Sequence, residues 1–218
     1  MLLTPLHTIE FKSPLILLLI PIVLGIAIYL ASSTLRVYFS SALSMLLVLV
    51  ALILYFYGTK TLYKIAFPIF FLVFMIPLPL YMIVNISFKM KLFVATVAAH
   101  ILNIMGLYAV QEGSVIKLRS TFVIVDDVCS GLRSLISLLA LGSIFAYWMR
   151  GSLGKRVVIM LTTIAIAIIT NVCRVVILST FSEILGVQAT KGFVHDMTGL
   201  LVFAVAFGML YLIGRLLE

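Results

Sequence analysis

Seven apolar runs divide the chain, at about Pro14–Ala31, Val37–Tyr57, Ile65–Val84, Leu92–Val110, Leu132–Met149, Val157–Leu178 and Leu200–Ile213. Each approaches the roughly 20 residues a helix needs to cross a bilayer's hydrocarbon core. Helix is the expected form, because in lipid the backbone polar groups must pair within the segment. The third run is interrupted by Pro68, Pro77 and Pro79, which predicts a kink or an early end near Pro77. The fourth run then reads either as a full span or as a re-entrant or interfacial helix. Between the fourth and fifth runs the pattern changes. Val115–Leu118 and Phe122–Val125 are β-branched and apolar, with Arg119-Ser120 between them, so a short outer hairpin is expected within Gly113–Asp127. The fold class expected is all-α: a polytopic transmembrane helical bundle of about 6–8 membrane helices, with a short β-hairpin-like segment before Cys129. No linker or repeat divides it, so residues 1–218 read as a single integral membrane domain.

Composition strengthens this picture. Of 218 residues, 64% are hydrophobic and 10% charged, against roughly 45–50% and about 25% in a soluble domain. A soluble enzyme, a disordered chain and a disulfide-rich secreted module are all excluded. The charge is +8, from 15 Lys and Arg against 7 Asp and Glu. The basic residues stand singly or in pairs between apolar runs, as membrane proteins keep them. No basic stripe is interleaved with aromatics, so no nucleic-acid partner is expected. Arg150, Lys155 and Arg156 share one short loop, which the positive-inside rule assigns to the cytoplasm. The first apolar run lacks a small-residue cleavage site and reads as a retained span.

Parity then groups three residues. Cys129 precedes the fifth run, Arg174 lies in the last turns of the sixth and His195 precedes the seventh. All three fall on one membrane face, opposite the Arg150 loop and hence extracytoplasmic. Taken singly, the cysteine reads as a small buried hydrophobe, the arginine as a side chain snorkelling to the interface, and the histidine as a polar helix start. Together they suit thioacyl chemistry. A cysteine at a helix start, with Arg133 one turn on, is set to ionise, and Ser130-Gly131 supplies a small, open turn whose N–H groups suit an oxyanion. An arginine inside a span is a functional-site hypothesis by default; Asn171, three residues earlier, shares its face. A histidine supplies the general base and acid. His100 and Cys173 read as structural and packing residues. With two cysteines in all, no disulfide framework, metal site or cofactor is expected. No H-E-x-x-H or G-x-S-x-G occurs, and the acidic residues an intramembrane aspartyl protease needs within its spans are absent: Asp126, Asp127 and Asp196 sit at edges.

These residues resemble a known family. Asp127-Val128-Cys129-Ser130-Gly131-Leu132-Arg133-Ser134 is similar to the acidic-x-Cys-Ser-Gly-Leu signature of the exosortase/archaeosortase family. Asn171-Val172-Cys173-Arg174-Val175 resembles its Asn-x-x-Arg-Val motif, and His195-Asp196-Met197-Thr198-Gly199 its third motif. Met75-Ile76-Pro77-Leu78-Pro79 and Gly113 also resemble its core, which would run from about residue 67 to the C-terminus. The resemblance implies a membrane-embedded cysteine transpeptidase of the cell membrane. It would cut secreted proteins at a C-terminal tripartite sorting signal (a short motif, a hydrophobic helix and a basic tail). The new C-terminus would pass through a thioacyl intermediate to a membrane acceptor, a lipid. It makes Cys129 the nucleophile, Arg174 the stabilising cation and His195 the acid/base, with Asp127, Ser130, Gly131, Arg133 and Asn171 in support. The alternative is a non-catalytic membrane binding or transport protein whose Arg174 and His195 line a polar cavity.

Overall fold

The computed structural model describes residues 15–126, 131–149, 151–186 and 192–217. They form two compact units, divided after Pro79. In the first, α1 (Leu15–Thr34) and α2 (Tyr38–Lys64) fold back on each other through a turn at Arg36. Gly25 lets the α1 backbone rest on α2: a Cβ there would lie 2.5 Å from Val48 Cγ2. Helix α2 breaks at Gly58, where φ is 73° and ψ 176°, one residue beyond the expected end of the second run. The third run does not form one span. It gives α3 (Ala66–Phe71) and a 3-10 turn (Leu72–Met75), then stops at Ile76, which turns extended before Pro77. Proline disfavours helical geometry in the residue before it.

The second unit is built around α6 (Leu153–Leu185), which packs against α4 (Leu80–Ile104), α5 (Leu132–Trp148) and α7 (Phe193–Leu217). Helices α5 and α6 run antiparallel. Gly142 of α5 lies against Thr163, and Gly131, which caps α5, against Asn171. Helices α6 and α7 are antiparallel too. Arg174 meets Gly199 at one end, and at the other Lys155 Nζ donates to the Leu217 carbonyl at 2.5 Å. Helix α4 presents Ala95, Ala98 and Ala99, all buried, to α6 and the sheet. Such small residues let helices approach closely where lipid removes the hydrophobic drive for association.

Four helices are long and apolar enough to cross a membrane: Tyr38–Lys64, Leu80–Ile104, Leu153–Leu185 and Asp196–Leu217. Leu19–Thr34 and Leu132–Trp148 are apolar but shorter. The protein is an integral membrane protein. Helix α4 is continuous, so Lys89 and Lys91, which lie between the third and fourth runs, sit inside a helix. Helix α6, with 33 residues, is about 50 Å long at 1.5 Å per residue, well beyond a hydrocarbon core of about 30 Å. Its surplus length carries the sheet.

That sheet has three strands, β1 (Val110–Glu112), β2 (Val115–Lys117) and β3 (Phe122–Ile124), antiparallel in the order β1-β2-β3. The expected hairpin is β2–β3; β1 is additional, from residues at and just beyond the end of the fourth apolar run. Its start is fixed locally. Gly106, with φ 83°, ends α4 through bonds from Gly106 N–H to the Asn103 carbonyl and Leu107 N–H to the Leu102 carbonyl, each 3.0 Å, the pattern of a Schellman cap. The Asn103 amide then donates to and accepts from the Ala109 backbone at 2.8 and 2.9 Å. Gly113, with φ 61°, makes the tight β1–β2 turn, a conformation glycine adopts without steric penalty. Ile116 and Val125, 0% and 1% exposed, pack inward on α4 and α6, while Phe122 and Ile124 face outward.

Candidate active site at the sheet end of the helices

The loop from the sheet to α5 ends at Gly131, where φ is 81°. Its carbonyl accepts from Leu135 N–H at 2.8 Å and from the Ser134 hydroxyl at 2.9 Å. Asn171, 3% exposed, packs directly beneath it: a Cβ on Gly131 would lie 2.5 Å from Asn171 Nδ2 and 2.6 Å from its Cγ. The glycine is required twice, by the left-handed backbone and by the approach of α6. Gly131→Ala is therefore expected to lower stability by at least about 1–3 kcal/mol. The check is a lower melting temperature in detergent, with Gly154→Ala, whose Cβ would be 3.9 Å from its nearest contact, melting like the parent.

One turn along α6, Arg174 is half-buried and turns toward α7. A Cβ on Gly199 would lie 3.1 Å from Arg174 Nη2, 3.3 Å from Cζ and 3.7 Å from Nε, so the guanidinium rests against the α7 backbone. Arg174 lies about 27 Å along the axis from Arg156, close to one hydrocarbon thickness. Helix α7 begins at Phe193, with Asp196 in its first turn, where a negative charge complements the helix dipole. His195 lies one turn before Gly199, so the two positions share a helix face.

The structure thus brings Gly131 to Asn171 and Arg174 to Gly199 at the sheet end of α5, α6 and α7. Asp127, Cys129 and Ser130 lie outside the described residues, as does the side chain of His195. Arg133 is exposed in the first turn of α5, which starts at Leu132 after Gly131. Cys173 is not a packing residue: it is exposed on the outer side of α6, about 100° from Arg174 on the helix wheel. His100 is exposed on α4.

Glu183 is a residue the sequence pattern did not single out. Its carboxylate accepts from Ser120 N–H at 3.2 and 3.4 Å and from the Thr121 hydroxyl at 3.1 Å, tying the β2–β3 turn to the end of α6. An acidic residue in the last turns of a helix, against the dipole, was the available signal.

No curated protein and no solved structure matches the chain. The family model described as transmembrane exosortase matches residues 4–212. The match begins well upstream of residue 67, so α1 and α2 fall within it along with the three motifs. This span covers nearly the whole chain, and the chain accordingly belongs to the transmembrane exosortase family, whose members are membrane-embedded processing enzymes.

Proposed function

We propose that this protein is a cysteine transpeptidase that cleaves secreted proteins at a C-terminal tripartite sorting signal and passes the new C-terminus to a membrane lipid. The observation that carries the reading is a pair of contacts. Asn171 lies against Gly131, two residues after Cys129, and Arg174 lies against Gly199, one turn from His195. Helix α6 thereby joins the cysteine motif to the histidine motif.

The substrate's hydrophobic helix docks beside the spans, with its motif at the sheet end, on the extracytoplasmic face. The Cys129 thiolate attacks the scissile carbonyl carbon, and the Arg174 guanidinium, with backbone N–H groups around Gly131, stabilises the oxyanion. Protonated His195 delivers its proton to the leaving amine as the C–N bond breaks, leaving a thioester on Cys129 and a neutral imidazole. That imidazole takes a proton from the acceptor's nucleophile, which attacks the thioester and releases the thiolate. No metal or cofactor enters.

Mass spectrometry of a processed reporter tests the reading. The reporter is a secreted protein ending in a sorting signal, co-expressed with this chain. Its new C-terminus should carry an added lipid-derived mass. A free carboxylate would replace transfer by hydrolysis, and an uncut reporter would refute the enzyme assignment for this substrate class.

A further inference from the structure

We propose that the edge of β3 opposite β2, unpaired among the described residues, is the substrate-recognition strand, and that it binds the extended segment upstream of the scissile bond as a parallel fourth strand. This rests on the proposed function and deepens it. The hydrogen-bond phase of the ladder fixes which groups are available. Leu118 N–H donates to the Thr121 carbonyl at 2.8 Å and Val125 N–H to the Ser114 carbonyl at 2.9 Å. Bonded and non-bonded pairs alternate along an antiparallel ladder. With Ile116 opposite Val123, Lys117 opposite Phe122 and Val115 opposite Ile124, the remaining bonded pair is Ile116–Val123. The N–H and C=O groups of Phe122 and Ile124 therefore point away from β2, along the sheet edge.

Three features favour a peptide there. First, the outward face of β2–β3 and its turn line a groove of about 470 Å³, walled by Val115, Leu118, Phe122 and Ile124, so alternate side chains of an added strand find apolar contact. Phe122 and Ile124 are 53% and 52% exposed. Second, Arg119 is exposed at the rim with no ion pair among the described residues, whereas Lys117 is paired with Glu112 at 2.6 Å; a carboxylate in the bound segment would complement it. Third, the edge is held in place by Glu183, which lowers the ordering penalty of binding. Phe122-Val123-Ile124 carries no proline or charged side chain of the kind that keeps other strands off an exposed edge.

Chain direction sets polarity. β3 runs from the Glu183-anchored turn toward Val125 and, four residues on, Cys129. The segment that becomes the acyl group must bring its C-terminal end to Cys129. Its N-to-C direction therefore follows that of β3.

The test places p-benzoylphenylalanine at position 122 or 124 of the full-length Cys129→Ala chain in membranes and photo-crosslinks it to the sorting-signal reporter. Both positions should capture reporter residues upstream of the cut, and position 122 should capture one N-terminal to that captured from position 124. The reverse order, capture only of lipid or of the reporter's hydrophobic helix, or no capture would overturn the inference. As a second measure, Ile124→Pro removes an N–H that β2 does not use. It should raise KM for the reporter about fivefold or more, as for a lost hydrogen bond, while iodoacetamide alkylates Cys129 at an unchanged rate. An unchanged KM would equally overturn it. A wild-type chain that leaves the reporter uncut would refute the proposed function and this inference with it; a cut reporter without ordered crosslinks would refute this inference alone.

Discussion

Replacing Cys129 by alanine is expected to abolish reporter processing while the chain still folds and inserts. The alanine removes the only group proposed to form a covalent bond with the substrate, and deleting the nucleophile of an acyl-transfer enzyme can remove about 10⁶ of kcat. Cys129→Ser should fail almost as completely. A serine hydroxyl is a weak nucleophile unless a base activates it, whereas a thiol is partly ionised near neutral pH. The chain holds only two cysteines, and Cys173 is exposed on the outer side of α6, so Cys173→Ala should process normally and provide a single-cysteine background. In that background, iodoacetamide should modify Cys129 and block processing in parallel. An active Cys129→Ala chain, or an inactive Cys173→Ala chain, would show that the wrong sulfur has been assigned.

The second large effect concerns Arg174. Both Arg174→Ala and Arg174→Lys should lose about 10²–10³ in kcat, the range for removing an oxyanion donor, at matched membrane levels. Lysine keeps a charge but not the planar fork of donors, and it loses its proton more readily when desolvated. Near-normal turnover by Arg174→Lys would remove Arg174 from the catalytic set and return it to the role of a snorkelling interfacial cation. Gly199→Ala separates placement from charge. Its Cβ would stand 3.1 Å from Arg174 Nη2, so the mobile end of the side chain must shift by a few tenths of an ångström. Because displacements of about 1 Å can cost 10²-fold in rate, a loss of about tenfold in kcat with an unchanged melting temperature is expected. A Gly199→Ala chain as active as the parent would show that the arginine's position against α7 is not used.

The order and spacing of apolar runs were enough to make this an integral membrane protein, because hydrocarbon permits a helix and little else for a lone segment. The break at Pro77 and the strands β2 and β3 were also legible, since proline and β-branched residues act on the backbone over one or two positions. Strand β1 was not. Val110 closes an apolar run, and only pairing with β2 makes it a strand. Nor did periodicity reveal that Leu80–Ile104 is one helix across Lys89 and Lys91, because a charged pair reads locally as a loop.

For the site, motif order along the chain is enough to tell which residue types stand at which end of the helices. Parity along the chain needs no coordinates, so Cys129, Arg174 and His195 were expected at one face. Packing between the helices settles how their described neighbours meet. Asn171 packs under a left-handed Gly131, the Arg174 guanidinium rests on Gly199, and Arg133 stands exposed in the first turn of α5. Glu183 likewise became significant only once α6 proved long enough to carry the β2–β3 turn, 62 and 63 residues away in sequence. The two kinds of information differ in range. Hydropathy and backbone preference act within a helical turn or a strand pair, whereas a contact between helices depends on the rotation of each helix about its axis, which is set by packing against every neighbour at once.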